Sequence, residues 1–414
     1  MRSAPGIIIF ILVMLALDFY IFQGFKTITA DSRYRNNLNI LFWIISGICI
    51  LAFLTFAVTG PDFIGKKFRS YLFAIVIGLF IAKLVAVIFF VIDDLRRIIQ
   101  WIASKLMFRN TEVAQMEGEG ISRSAFLSWL GFLSGGTLFG TLLYGFSNKY
   151  NYKVHKKTLH FSNLPQSFKG LKIVHISDIH SGSLLNVKSV EKGVKLINEI
   201  KADIILFTGD LVNDRATEMA PLFETFKKLS APMGVYSVLG NHDYGDYVRW
   251  PDNGISKEEN LEKLKKIQAD IGWKLLMNEN IVFEKGNEKI ALIGIENWSA
   301  KPNFPKHGRL DLAYKGVENI PFKILMSHDP SHWDAQIRPD YPDIDLTLSG
   351  HTHGMQFGVE VPGFKWSPVQ YVYKEWAGLY EQESQKIYVN RGFGFIGYPG
   401  RVGILPEITV IELA

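Results

Sequence analysis

Residues 171–180 read LKIVHISDIH, residues 203–210 read DIILFTGD and residues 235–243 read VYSVLGNHD. Each is an apolar β-type run that closes on a polar motif: Asp178 with His180, Gly209 with Asp210, and Gly240-Asn241-His242-Asp243. Residues 345–353, DLTLSGHTH, end a further run on His351 and His353, and His328 stands in SHDP at 327–330. Apolar runs separated by helical stretches describe β-α-β units and a parallel sheet. In such sheets ligands gather at the carboxyl ends of the strands, so the polar motifs mark one site.

Taken singly, each motif is ordinary. A strand-end aspartate usually serves a turn or caps a helix, and a lone histidine usually makes a structural hydrogen bond. Together they supply oxygen and imidazole ligands for two adjacent metal ions. Asp, Asn and His without Cys form a hard-to-borderline donor set suited to Mn, Fe or Zn, which excludes a thiolate site. Two divalent ions about 3.5–4 Å apart activate a bridging water and clamp both oxygens of a phosphoryl displacement. His242 directly follows Asn241, so its side chain points elsewhere, toward a substrate, as a candidate general acid. Asp243 is then expected to accept the other ring N–H and fix the tautomer. Gly209, Gly240 and Gly350 permit tight or positive-φ turns where backbone closes on the site.

The order and type of these residues resemble the calcineurin-like metallophosphoesterases, whose pattern DxH, GD, GNHD, H, GHxH stands here as SDIH, TGD, GNHD, SHDP and GHTH. The resemblance runs from about Phe168 to the C-terminus. Within that superfamily, GHTHG with the nearby Gln356, and the ending RGFGFIGYPGRVGILPEITVIEL, are most similar to the membrane-associated YkuE/YaeI type. Met355 departs from that type, which usually has a second glycine there; the change bears on loop flexibility and removes no ligand. The resemblance implies an α/β fold, the four-layer αββα sandwich. By motif it implies Asp210 as the bridge, with Asp178, His180 and His353 on one metal and Asn241, His328 and His351 on the other.

The 414 residues predict two units: 1–147, dominated by long apolar runs, and 148–414, with the composition of an α/β domain. Strands are expected at 171–176, 203–207, 235–239, 281–284, 289–294, 322–326, 345–348, 387–390 and 407–412, and helices near 188–201, 217–229 and 257–270. Lys plus Arg (45) barely exceeds Asp plus Glu (40), which gives no case for nucleic acid as a partner. The single cysteine, Cys49, lies within an apolar run and allows no intrachain disulfide.

Four segments are long enough to cross a bilayer, which takes roughly 20 residues as a helix: Gly6 to Phe25, Leu38 to Gly60, Tyr71 to Ile92 and Phe126 to Phe146. They make the bilayer a partner and precede the α/β domain as an all-α four-helix region. Asp94 to Phe108 has helical amphipathic spacing, read either as a surface helix or as one packed on its own bundle. Lys26, Arg33, Arg35, Arg96, Arg97, Lys105, Arg109 and Arg123 fall on one side of the spans, against Arg2, Lys66, Lys67 and Arg69 on the other. This asymmetry favours both termini outside, placing the catalytic domain beyond the cytoplasm, although Lys149, Lys153, Lys156 and Lys157 pull the other way. Ser122 to Leu127 resembles a twin-arginine export signal with one arginine, or else is an ordinary basic flank.

Asp18 and Lys83 fall within spans at similar depth, which allows a buried ion pair; the other reading is an interfacial Asp18 and a snorkelling Lys83. Trp366, Tyr371, Tyr373, Trp376 and Tyr380 form an aromatic stretch, read as a pocket for acyl chains, a headgroup-level surface or core filling. Arg391 and Arg401 are candidates for a second phosphate or carboxylate, or ordinary ion-paired arginines. Attachment by four helices points to a lipid-linked phosphodiester or pyrophosphate. UDP-2,3-diacylglucosamine is a specific candidate that the outward topology disfavours, and a non-catalytic metal- or phosphate-binding sensor is the reading from a different class.

Overall fold

A computed structural model describes residues 4–58, 65–107, 122–251 and 254–414, and the chain divides into two compact units, Met1–Tyr144 and Gly145–Ala414. Helices α1 (Ala4–Ile28), α2 (Arg35–Val58), α3 (Lys66–Met107) and α4 (Ala125–Asn148) account for the N-terminal part. All four are long and apolar enough to cross a membrane, which makes the chain a multi-pass membrane protein. Thr59 and Gly60 of the second expected span, and Arg2, Phe108 and Arg109, lie outside the described residues.

The third span and the amphipathic segment are one helix of 42 residues. No glycine or proline interrupts the chain between Gly78 and Met107. Where the apolar run ends, Arg96 pairs with Asp93 and Arg97 with Asp94 at i,i+3 spacing, which supports continued helix. The segment is also tied to the head of α4. Asp93 Oδ2 accepts the Ser124 N–H at 3.0 Å, Arg123 Nη2 donates to Asp94 Oδ1 at 2.8 Å, and Arg96 donates to the Ser122 carbonyl. Ser124 Oγ in turn accepts the Leu127 N–H, as helix-capping serines do. Ser122 to Leu127 is therefore a helix start held by the α3 carboxylates.

Within the helical unit, Lys83 Nζ donates to Asp18 Oδ1 and Ser46 Oγ donates to Asp18 Oδ2. One fully buried carboxylate thus joins α1, α2 and α3. The two charges sit among apolar side chains and make a pair, as their similar depth allows.

The second unit holds two six-stranded mixed sheets. The first comprises β1 (Lys153–Leu159), β2 (Lys172–Ile176), β3 (Ile204–Phe207), β4 (Val235–Ser237), β5 (Lys274–Leu275) and β14 (Glu407–Leu413), in the order β1-β14-β2-β3-β4-β5. The second comprises β6 (Glu279–Lys285), β7 (Glu288–Gly294), β8 (Lys323–Met326), β9 (Leu346–Ser349), β12 (Gly378–Gln382) and β13 (Gln385–Val389), in the order β12-β13-β9-β8-β7-β6. β10 (Val359–Val361) and β11 (Phe364–Trp366) form a separate hairpin.

Alternate residues along each strand enter different cores. Ile173, Ile204, Leu206, Ile324, Met326, Leu346 and Leu348 fill the space between the sheets. Val174, Ile176, Ile205 and Phe207 face α5 (Val187–Glu199), α6 (Phe223–Phe226) and α7 (Lys257–Asp270). On the outer side of the second sheet, Ile293 and Leu325 pack with Leu310, Trp333 and Ile337. Strands buried on both faces read as continuous apolar runs, and the result is the αββα sandwich.

The helix expected near 217–229 is instead a 3₁₀ segment, Ala216–Leu222, before the single turn of α6. Pro221 lies inside it and removes a helical N–H. β1 has no apolar run to betray it: it is an edge strand on which only Leu159 is buried.

Breaking a buried pair by removing one partner typically costs about 3–5 kcal/mol. Lys83→Leu is therefore expected to lower the thermal stability of the detergent-solubilised chain by more than the Asp18→Leu/Lys83→Leu double variant does. Equal losses would contradict the pairing.

Candidate metal centre

The polar motifs converge because the strands that carry them run parallel. In the first sheet β2, β3 and β4 are mutually parallel, and in the second β8 and β9 are parallel. Their carboxyl ends deliver Asp178 and His180, Asp210, Asn241 and His242, His328, and His351 and His353. Contacts between loops join the two sheets there. Asp178 accepts the His351 backbone N–H at 3.0 and 3.1 Å from its two oxygens, and His328 Nδ1 donates to the Thr208 carbonyl at 2.6 Å.

Asp178, His180, Asp210, His351 and His353 all have left-handed backbone, with φ between 48° and 70°. Each such residue costs on the order of 1–3 kcal/mol and persists only where its surroundings over-determine it. Gly209 is at φ 95°, and a Cβ there would lie 2.8 Å from Gly240 Cα. Gly240 itself is extended; it is small because a Cβ would meet the Asp210 backbone N at 2.6 Å. Met355, at φ 56°, holds a left-handed position that glycine takes without strain.

The ligating atoms of Asp178, His180 and His353 lie within 4.8 Å of one another, as do those of Asp178, Asp210 and His328. His180 Nε2 and His353 Nε2 are 3.0 Å apart, and Asp178 Oδ1 is 3.1 Å from His353 Nε2. His328 Nε2 faces Asp210 Oδ2 at 3.2 Å, fully buried and without an aligned hydrogen bond. Its Nδ1 is committed as a donor to a carbonyl, so a neutral His328 turns a lone pair toward a carboxylate. Two acceptors at this distance need a proton or a cation between them. Burial opposes charge at His328, yet Asp210, Asp178 and the bond to Thr208 together outweigh it and push the imidazole up to about 10. Burial likewise opposes ionisation of Asp178 and Asp210, while the neighbouring histidines hold both below the usual carboxylate range.

Close by, Asn241 Oδ1 is 2.8 Å from His351 Nδ1. The Asn241 amide is oriented by donating to Tyr247 Oη, and His351 Nε2 meets Tyr373 Oη at 2.8 Å. Asp329 Oδ2 lies 3.5 Å from the same nitrogen. Tyr373 and Asp329 thus set the ring so that Nδ1 faces the site, as outer partners of metal-bound histidines do. In the sequence Tyr373 reads only as part of an aromatic stretch and Asp329 only as the neighbour of His328 in SHDP. Five of the side chains, Asp178, His180, Asp210, His328 and His353, bring their ligating atoms close enough together in buried surroundings to hold a metal, and the Asn241–His351 pair stands close by.

One expectation is corrected. Asp243 does not touch the His242 ring. Its fully buried carboxylate accepts the backbone N–H groups of Asp210 and Gly240 on one oxygen, and of Leu211 and Val212 on the other. These four donors use the carboxylate completely, so His242 turns away and places Nδ1 2.7 Å from the Asn213 carbonyl. That carbonyl fixes the Nδ1–H tautomer and leaves Nε2 for other chemistry. His242 N also donates to Asp210 Oδ1 at 2.8 Å.

Of the two readings for these arginines, Arg391 takes the ion-paired one, and Arg401 is held by backbone carbonyls. Arg391 is ion-paired with Glu407 and Glu360, and the fully buried Arg401 donates to the carbonyls of Arg391, His353, Gly392 and Gly394. Of the aromatic stretch, Tyr373 and Trp376 are buried with Val369 and Ile404, whereas Tyr371 is 77% exposed.

Residues 171–355 match the family described as calcineurin-like phosphoesterase, and residues 1–149 match the family described as probable calcineurin-like phosphoesterase, transmembrane domain. The uncharacterized metallophosphoesterase YkuE of Bacillus subtilis is 31% identical over 304 residues, covering 71% of this chain and 98% of the relative. The chain belongs to the calcineurin-like metallophosphoesterases. A zebrafish (Danio rerio) transmembrane protein with metallophosphoesterase domain is 30% identical over 256 residues, 60% of this metallophosphoesterase and 54% of the relative, so the chain spans about half that relative's length. The UDP-2,3-diacylglucosamine pyrophosphatase LpxG of Chlamydia trachomatis is 27% identical over 282 residues, 56% of this chain and 81% of the relative. The metallophosphoesterase site is the His/Asp cluster of the family's dinuclear type.

The Asp243 clamp makes a prediction that separates it from a histidine-orienting role. Asp243→Ala strands four buried N–H groups, each worth about 1–3 kcal/mol. Melting temperature should fall, and turnover of substrates with good and poor leaving groups should fall together. Unchanged melting with a loss confined to poor leaving groups would restore the ring-orienting role.

Proposed function

We propose that the chain is a membrane-anchored, dinuclear-metal phosphoesterase that hydrolyses phosphodiester or pyrophosphate bonds of a lipid-linked substrate. The observation that carries the lipid assignment is the apolar rim beside the ligand loops. Met355, two residues beyond His353, is 57% exposed, and Tyr371 and Val372, just before Tyr373, are 77% and 58% exposed. Phe304 lies edge-on to the His351 ring at 4.8 Å, and Tyr247 lies against His242 at 4.5 Å. A site for a free polar phosphate has no need of such a border, whereas acyl or prenyl chains do.

In this reading Asp178, His180 and His353 would hold one ion, Asn241, His328 and His351 the other, and Asp210 would serve both; Mn, Fe or Zn suits the donors. When bound, the ions supply Lewis acidity and an activated water nucleophile. His242, with Nδ1 donating to Asn213, carries a proton on Nε2 to the leaving oxygen. Basic residues in the short loops, eight against four, favour an extracytoplasmic domain; Lys149, Lys153, Lys156 and Lys157 after the last span bring the second side to eight, although a long domain can cross regardless of such charge. The likeness to LpxG favours a second reading, hydrolysis of a UDP-linked acylated glucosamine. That nucleotide is cytoplasmic, so this reading requires the opposite orientation. A non-catalytic sensor is disfavoured by the complete ligand set and by His242, which a sensor does not need.

The test is Mn²⁺-dependent product analysis by mass spectrometry, with the purified chain, a membrane-lipid extract spiked with UDP-2,3-diacylglucosamine, and Asp210→Asn as control. Loss of a lipid phosphoester with wild type and not with Asp210→Asn is expected. Release of UMP would select the second reading, and no Asp210-dependent change would overturn both. His242→Ala is expected to retain its metals and to slow substrates with poor leaving groups by roughly 10²–10⁴-fold; normal turnover of those substrates would remove His242 as the acid.

A further inference from the structure

The helical unit contains a cleft of about 660 Å³ lined by Tyr20 and Gln23 of α1, Asp94, Arg97 and Trp101 of α3, and Arg123 ahead of α4. The uninterrupted apolar run of α3 ends at Ile92 and that of α4 begins at Phe126. These side chains therefore stand where apolar spans give way to charge, the depth of lipid headgroups.

The chemistry is that of an anion site. Arg123 is only 10% exposed, with Nη2 donating to Asp94 Oδ1 at 2.8 Å and the guanidinium 5.4 Å from the rings of both Tyr20 and Phe90. Its Nη1 is buried and has no hydrogen-bond partner among the described residues. A buried cationic donor left unpaired is costly, and an anion relieves that cost. Arg97 Nη1 lies 3.1 Å from the same Asp94 oxygen. The Asp94 carboxylate is engaged by Tyr20, Arg97 and Arg123, so among the described residues that line the cleft two guanidinium groups stand with one carboxylate. Arginine forks suit phosphate geometry. The open wall is apolar: Trp101 is 51% exposed and Ile98 53%, as befits contact with the glycerol and upper acyl chain of a lipid.

We propose that this cleft holds the phosphate of an anionic phospholipid headgroup, at a site contained in the helical unit and independent of the catalytic reading. Native mass spectrometry of the full chain in detergent, titrated with phosphatidylglycerol or with neutral diacylglycerol, tests it. Wild type is expected to retain phosphatidylglycerol in preference to diacylglycerol. Arg97→Gln, at a residue 36% exposed, and Arg123→Lys, which keeps the charge and loses the fork, should each weaken retention by about tenfold, the equivalent of one charge-assisted hydrogen bond. The melting temperature of Arg97→Gln should stay near that of wild type, so its loss of lipid is not a loss of fold. Retention unchanged in Arg97→Gln would overturn the proposal. So would complete displacement by millimolar glycerol phosphate, which would identify a soluble phosphate as the ligand.

Discussion

The catalytic unit depends on one buried carboxylate that is not a metal ligand. Asp243 takes the N–H groups of Asp210, Leu211, Val212 and Gly240, which ties the loop after β3 to the loop after β4. Asp210 and Asn241 can face the same space only if those loops are held together against left-handed strain at Asp210. Burial and the adjacent Asp210 carboxylate push Asp243 up to about 7, while N–H donors from Gly240 and Val212 hold it down. The clamp therefore places one acid hard against another, an arrangement that positive charge in the centre relieves.

The two sheets contribute different parts of the site. The first supplies Asp178, His180, Asp210, Asn241 and His242, and the second supplies His328, His351 and His353. Neither half is complete alone, so the apolar layer between the sheets, with Ile173, Leu206, Met326 and Leu348, sets the distance between the halves. This makes packing far from the His/Asp cluster a determinant of its geometry. A change in core volume there shifts one ligand set against the other, and bonded metal sites tolerate little displacement.

Much of this was legible in the sequence because strand ends and motifs coincide. Ile204 to Phe207 is buried on both faces, reads as an unbroken apolar run and delivers Asp210 directly. What escaped reading has physical reasons. β1 and the β10–β11 hairpin are exposed or polar and carry no periodic signal. The tautomer of His242 is set by the Asn213 carbonyl, and a backbone acceptor has no residue signature. Tyr373 and Asp329 are distant in sequence from His351 and become partners only when β8, β9 and the aromatic segment fold together. Adjacency to His242 suggests a side-chain bond for Asp243, where the loop requires a backbone clamp. In the helical unit, similar depth allowed the Asp18–Lys83 pair, whereas an amphipathic pattern did not reveal that α3 simply continues.

We propose that the seven side chains hold two metal ions about Asp210. The most direct test is anomalous diffraction from crystals of the Mn²⁺-loaded chain. Two peaks about 3.5–4 Å apart, flanking the Asp210 carboxylate, are the expected result, one beside His180 and His353 and the other beside Asn241 and His351. A single peak, or metal bound away from Asp210, would contradict the account.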